Sequence, residues 1–241
     1  MIPELNPKRA LLITAHPDDA EYFCSGLVAK WSEHGTIVSY LVTTSGDQGS
    51  DDLLADIKQL VATREAEQRA SAELLGVTDV TFLRYPDSEL SFVDQKQLRG
   101  EYVRHIRRTQ AEVVVTHDPF VRTIRQHADH RVVGRLTLDA AYPISTVAQC
   151  YREQILHEGL SPWQASTMLL FGTDQPNYGV DISTSLALKV KSIQTHASQM
   201  SAFAGGVESR VPWKAKTIGD RYGFEAAEEF LRIQLGPTLP T

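Results

Sequence analysis

The chain has 241 residues, 42% of them apolar and 22% charged, with a formal net charge of −6 at pH 7, so it is long enough for one sizeable α/β core. No run of lysine or arginine stands out, which argues against nucleic acid or an anionic membrane surface as partner, and no apolar stretch is long enough to span a bilayer. Only Cys24 and Cys150 are present, which excludes a disulfide scaffold. With a first segment, MIPELNPKRALL, that lacks the order of a secretory signal, a cytoplasmic location is expected.

The first element is the apolar run Ala10 to Thr14, the length of a buried parallel strand, which ends in His16, Pro17, Asp18 and Asp19. Pro17 cannot donate to a strand ladder and biases His16 away from helical backbone, so the strand stops there. Phe23, Leu27, Val28 and Trp31 follow at helical spacing, with Cys24 as core packing among them. A strand–turn–helix unit of this kind puts polar side chains at the carboxyl edge of a sheet, where open α/β folds bind ligands. One imidazole and two carboxylates within four residues are unfavourable together unless a cation or a proton relay compensates them; the simpler reading is that Asp18 or Asp19 caps the helix.

Gly35 ends that helix, and Thr36 to Thr44 reads as a second strand followed by the polar loop Ser45 to Ser50. A long helix is predicted from about Asp56 to Leu75, with Gly76 as its stop. Thr78 to Leu83 is a third strand, and Tyr85-Pro86-Asp87 the turn after it. Leu98 to Arg108 is a basic helix whose His105, Arg107 and Arg108 are expected to face water. Val113 to Thr116 is the fourth strand, and the polar loop His117 to Gln126 leads to His127-Ala128-Asp129-His130 at the head of a helix with Val132, Val133, Leu136 and Ala140 on its apolar side. Two strand ends thus each carry His and Asp, which suits a three-ligand metal site with one open position. Asp129 is a candidate to hold the second nitrogen of a ligating histidine.

Beyond Ala141 the pattern weakens, and Ala141 to Pro162 has no clear period. Thr167 to Phe171 and Gly179 to Ile182 read as strands, Ser183 to His196 as a helix, and Phe224 to Ile233 as another with Glu225, Glu228 and Glu229 on its outer face. Met200 to Asp220 is expected to be a long loop, serving as a lid or an interface arm. The alternation of strands and helices predicts an α/β fold, Rossmann-like and three-layered, with a mostly parallel sheet. One domain over 1–241 is expected, its core at about 8–145 and its last third completing the sheet.

AHPDDAE near the start and HADH after the fourth strand, together with GDQGS, TREAEQRASAELLGV, FLRYPDSEL and KSIQTHASQ, resemble the LmbE/PIG-L-like family of zinc-dependent N-deacetylases. The resemblance implies zinc held by His16, Asp19 and His130, with Asp18 as general base. It further implies that His127 assists the developing oxyanion and that Asp129 orients or tunes a histidine. Arg64 would hold the hydroxyl or acyl side of the substrate, and Asp87, otherwise a turn former, would lie near substrate or brace the site. His117 and Asp118 carry no ligand role in that pattern. Assembly into trimers or hexamers, a habit of the family, is expected as well.

The chemistry these residues allow is metal-assisted amide hydrolysis, with zinc or another divalent ion activating a water and Asp18 taking its proton. The expected substrate is a small N-acetylated molecule, an amino sugar or sugar conjugate by the family default. RTIRQ, before HADH, lacks the tyrosine or glycine run of the pseudodisaccharide deacetylases, so an amide of another kind, a thiol conjugate among them, stays open. A metal-dependent phosphoesterase would want more positive charge or two metals, and no G-x-G-x-x-G follows the first strand as a dinucleotide binder would need. A non-catalytic metal-binding protein is the remaining alternative, although closed zinc sites are typically cysteine-rich.

Overall fold

The computed structural model describes residues 4–122, 126–202 and 205–236. Residues 123–125 of the loop before HADH, and 203–204 of the Met200–Asp220 segment, lie outside that range. Strand and helix alternate as β1 (Arg9–Thr14), α1 (Asp19–Glu33), β2 (Ile37–Thr44), α2 (Ile57–Leu74), β3 (Asp79–Tyr85), α3 (Gln95–Thr109), β4 (Val113–His117) and α4 (Ala128–Ala141). There follow α5 (Arg152–Leu156), β5 (Thr167–Phe171), β6 (Tyr178–Asp181), α6 (Leu186–Gln194), α7 (Val207–Tyr222) and β7 (Ala227–Gln234). The carboxylates of Asp56 and Asp94 start α2 and α3 by accepting backbone N–H groups two and three residues on.

The strands form one seven-stranded sheet in the order β3-β2-β1-β4-β5-β7-β6. From β3 to β5 every pairing is parallel, and β7 runs antiparallel to both its neighbours. The central strand shows why the core divides in two. Ala10 and Leu12 pack with Leu27, Val28 and Trp31 of α1, while Leu11 and Ile13 pack with Tyr102 and Ile106 of α3 and Val133 and Leu136 of α4. A two-residue period along β1 therefore feeds a helical layer on each face, giving three layers. The chain leaves β1 for β2 on one side and crosses to β4 on the other, and this reversal opens a crevice at the carboxyl ends of β1 and β4. Among the described residues no helix is long and apolar enough to cross a membrane.

Three expectations are corrected. Phe224 to Ile233 is not a helix: β7 occupies Ala227–Gln234 between β5 and β6. Its Ala and Glu residues favour helix, but alternation decides the matter, with Phe230 facing one core layer and Leu231 and Ile233 the other. Glu228, placed on an outer face by the helical reading, is buried. Met200 to Asp220 is mostly α7 rather than a loop. Gly205, Gly206 and Pro212 disguise a buried stripe of Val207, Val211, Ala215 and Ile218 at helical spacing.

The third correction concerns α3, where only Arg108 of the three expected surface groups is exposed, and His105 and Arg107 are buried. Arg107 donates to the carbonyl oxygens of Ser145, Val147, Cys150 and Tyr151 and to Gln154 Oε1. The stretch from Ala141 lacked a period because it wraps around one guanidinium rather than around an apolar stripe.

Candidate active site

At the end of β1 the chain makes a tight turn through Asp18, whose φ of 102° lies in the left-handed region that few non-glycine residues adopt. Several bonds hold it there. Asp19 Oδ2 accepts the N–H of His16 at 2.7 Å, and Gln68 Oε1 of α2 accepts that of Asp18 at 2.9 Å. Arg64, 3% exposed, donates to Pro17 O at 2.7 Å, Asp18 Oδ2 at 3.1 Å and Gly46 O at 2.9 Å. The loop after β2 makes room for that guanidinium: a Cβ on Gly49 would stand 2.1 Å from Arg64 Nη1. The side chain expected to touch substrate is thus engaged in clamping the turn.

The second strand end arrives opposite. His127 caps α4, its Nδ1 accepting the N–H of Asp129 at 3.2 Å, which puts its ring proton on Nε2, and its ring meets that of His16 edge-on with centroids 4.6 Å apart. One turn on, His130 Nε2 lies 3.3 Å from His16 Nδ1 and 3.2 Å from Asp19 Oδ1. The other nitrogen of His16 faces two carboxylates, Asp87 Oδ1 at 3.0 Å and Asp129 Oδ2 at 3.4 Å. Those acceptors favour a proton on Nε2, which leaves the Nδ1 lone pair pointing at His130 and Asp19. Two imidazole nitrogens and a carboxylate facing one another within 4.8 Å, with carboxylates behind one ring, form a donor set that fits a divalent cation. A second trio of His16, His127 and Asp129 is equally close. It is less suited, because Asp129 already accepts the N–H groups of Ser88 and Leu90 and His127 Nδ1 is used as the cap.

Electrostatics follow from this crowding. Burial pulls the pKa of His16 down, but Asp129, Asp19 and Asp87 outweigh it and hold it well above the usual histidine value. Burial opposes ionisation of Asp19, yet His130 and His117 hold its carboxyl well below the usual range. Asp87 and Asp129, also buried, are lowered by His16. Asp18 goes the other way: burial pushes it up to about 6 against the pull of Arg64. His127 is lowered by burial and by the neighbouring His16 and His130.

Every residue named from the sequence is therefore at the crevice, although Arg64, Asp87 and Asp129 touch the turn or His16. His117 lies closer in than expected, its ring stacked 3.9 Å from that of His130 and its Nε2 3.2 Å from Asp19 Oδ2. That nitrogen already accepts the N–H of Ala15, and burial pushes the ring down to about 3. Asp118 is occupied by the N–H of Phe120. A buried pair was missed: His196 Nε2 lies 3.3 Å from Glu21 Oε2, and Gln68 links Glu21 to the turn. Within THASQ, lone His196 offered no spacing signal.

The crevice has two chambers. One of about 220 Å³ is lined by Asp18, Asp19, His130, His196 and the apolar Ile193 and Met200. The other, of about 630 Å³, lies against α7, and Tyr22 and Phe23 of α1 line both.

Residues 11–141 match the family described as PIG-L: GlcNAc-PI de-N-acetylase. The diacetylchitobiose deacetylase of Thermococcus kodakarensis is 32% identical over 192 residues, covering 80% of this chain and 70% of its own. Among solved structures, the N,N'-diacetylchitobiose deacetylase of Pyrococcus horikoshii, complexed with its inhibitor MPG, superposes with a TM-score of 0.86 at 31% identity over 95% of this chain and 85% of its own. The 4-carboxy-2-hydroxymuconate hydratase GalB of Pseudomonas putida KT2440 has the same fold, with a TM-score of 0.77 at 22% identity over 97% of this chain and 99% of its own. A deacetylase and a hydratase on one fold leave the chemistry to the site.

Proposed function

This chain belongs to the PIG-L family of de-N-acetylases, and on that premise we propose that it is a metal-dependent hydrolase that removes the N-acetyl group from an amino sugar or sugar conjugate. The observation that carries the reading is the convergence of His16 Nδ1, Asp19 and His130 Nε2, with the carboxyl of Asp18 beside them. These three would hold the ion, for which we propose zinc. When bound, such an ion lowers the pKa of a water towards neutrality and polarises an amide carbonyl.

The remaining work falls to the protein's own groups. Asp18 accepts the proton of the attacking water and returns it to the departing nitrogen, so that amide and water become amine and acetic acid. His127, with its ring proton on Nε2, donates to the carbonyl oxygen as negative charge develops there. Asp87 and Asp129 fix the orientation of His16, and Arg64 fixes the turn that carries Asp18. A homo-oligomer, trimeric or hexameric, belongs to the proposal and is supported by exposed Leu53, Leu54 and Phe92. A cytoplasmic location is supported by the free thiols of Cys24 and Cys150.

The test is a screen of N-acyl amines with metal-reconstituted protein, quantifying free amine and acid together. Equimolar release of both from an N-acetylated amino sugar is expected. Release from non-sugar amides alone would overturn the substrate class, and absence of any metal-dependent release would overturn the reading.

A further inference from the structure

His196 has no part in the chemistry just described, yet it lines the small chamber with Asp18, Asp19 and His130 and is 1% exposed. It stands just beyond α6, a helix fastened to α2 by the hydroxyl of Ser71, which donates to Ser192 O at 3.0 Å. Its Nε2 lies 3.3 Å from Oε2 of Glu21, in the first turn of α1. Glu21 Oε1 accepts from Gln68 Nε2 at 2.9 Å, and Gln68 Oε1 accepts the N–H of Asp18 at 2.9 Å. Three buried side chains therefore run in series from the last third of the chain to the turn. Among the described residues neither nitrogen of His196 has an aligned hydrogen-bond partner, which leaves the Glu21 carboxylate as the group its ring is set against. A buried polar series of this kind has to be satisfied link by link.

What the series grips at its far end is a single peptide group. Pro17 O and the N–H of Asp18 belong to that group, and α2 holds it on both sides: Arg64 donates to the oxygen and Gln68 accepts from the nitrogen. The same peptide plane sets the φ of 102° at Asp18, which a peptide flip would relieve. Gln68 resists the flip only while its oxygen faces Asp18, and an amide can equally well turn its NH2 group there. Glu21, an acceptor, holds the NH2 end and so decides the orientation. We propose that His196 is a positioning residue for Asp18, acting through Glu21 and Gln68 to lock the peptide that aims the general base. The proposal rests on the deacetylase reading and adds to it a support from the last third of the chain. A proton on Nε2 lets the ring hold the Glu21 carboxylate with its other oxygen on Gln68. Without the ring, Glu21 is a buried acceptor short of a donor, free to turn away from Gln68.

The experiment uses metal-loaded protein with N,N'-diacetylchitobiose as the substrate probe, and follows the Asp18 amide separately by NMR hydrogen exchange. In His196→Gln the side-chain NH2 stands near the place of Nε2, whereas in His196→Asn it stands near that of Nδ1. His196→Asn and His196→Phe are expected to lose roughly ten- to a hundredfold in kcat, the usual cost of removing an outer support, with KM and metal content near wild type. His196→Gln should recover most of that rate. Exchange at the Asp18 amide should quicken roughly tenfold in His196→Asn and His196→Phe, about the worth of one hydrogen bond, and stay slow in His196→Gln. Gln68→Met removes the link from its other end; it should reproduce both effects, and adding His196→Asn to it should cost little more. Should His196→Phe not fold, His196→Asn carries the comparison. Equal loss in His196→Gln and His196→Asn overturns the proposal, because packing alone would treat the two alike. Unchanged exchange at Asp18, or metal lost in step with the rate, overturns it too. If wild type releases no acetate from the sugar, the deacetylase reading fails, while the exchange pattern still decides whether His196 locks the turn.

Discussion

Lys189 Nζ and Glu228 Oε1 meet at 2.6 Å inside a break in α1. The helix leaves helical backbone at Cys24, with φ −144° and ψ 17°, so the turn before it loses carbonyl partners and the turn after it loses N–H partners. Lys189 donates to Glu21 O at 3.1 Å and Tyr22 O at 2.9 Å. Glu228 accepts from Gly26 N at 2.9 Å and Leu27 N at 2.7 Å. One ion pair thus closes both ends of the break and sets the angle of the first turn, which carries Asp19 and Phe23.

Because both members are buried, removing either leaves an uncompensated charge and open helix ends. Lys189→Met is expected to lower the unfolding free energy by roughly 3 kcal/mol, and Glu228→Gln by a similar amount. The double substitution should lose less than the two singles added, since each single strands the charge of the other member and the double strands neither. Denaturant unfolding of the three proteins checks this; strict additivity would show that the pair does not act as a unit.

The same pair shows where sequence reading stops. Glu228 reads as a helical surface charge because EAAEEF has strong helix formers, and only the lateral pairing of β5 and β6 makes the segment a strand. Elements β1 to β4 were legible because each is an apolar run ending in turn chemistry, a local signal. The site was legible in halves for the same reason: HPDD and HADH each announce themselves, and the topology brings them together at one crevice. What spacing does not encode is contact at a distance. Asp87 on His16, His196 on Glu21 and Arg107 among loop carbonyls depend on where other elements arrive.

The clamp on the turn yields a second prediction. Arg64→Lys keeps a charge but cannot reach three acceptors in two directions. A misplaced catalytic group loses roughly a hundredfold in rate, and a fall in kcat of that order is expected with bound metal retained. Gly49→Ala should act in the same direction without touching the charge, because its Cβ would overlap Arg64 Nη1. Steady-state rates beside metal analysis distinguish this from loss of the metal site.

His105 carries a pH prediction far from the crevice. Burial lowers its pKa and outweighs the opposing hydrogen bond between its Nδ1 and Glu101 O at 2.9 Å, so the folded protein favours the neutral ring. A histidine depressed in the folded state contributes stability that is present above its unfolded value near 6.5 and is lost as pH falls below it, because the unfolded chain takes up the proton first. Thermal unfolding should therefore shift downwards between pH 7.5 and pH 5.5, and His105→Gln should show a smaller shift. An equal shift in both proteins would place the effect elsewhere.

The last prediction separates proton transfer from metal binding at adjacent residues. Asp18 and Asp19 share a side-chain type, but their surroundings differ: Asp18 faces Arg64, whereas Asp19 faces His130 and His117. Asp18→Asn keeps an oxygen for Arg64 and leaves His16, Asp19 and His130 untouched, so metal content should stay near wild type. It lacks the group that takes the proton, and loss of a general base costs roughly a hundred- to ten-thousand-fold in rate. Asp19→Asn replaces a carboxylate beside two histidines with a neutral amide, a weaker ligand for a divalent ion. Metal affinity should fall, with activity partly recovered by excess zinc. The acidic limb of kcat/KM offers a check that a merely structural change would not pass, since it should vanish in Asp18→Asn and persist in zinc-supplemented Asp19→Asn. Metal lost from Asp18→Asn and kept by Asp19→Asn would exchange the two roles. Near-normal activity and metal in both would reduce HPDD to a turn, and the hydrolytic reading of the crevice would fall with it.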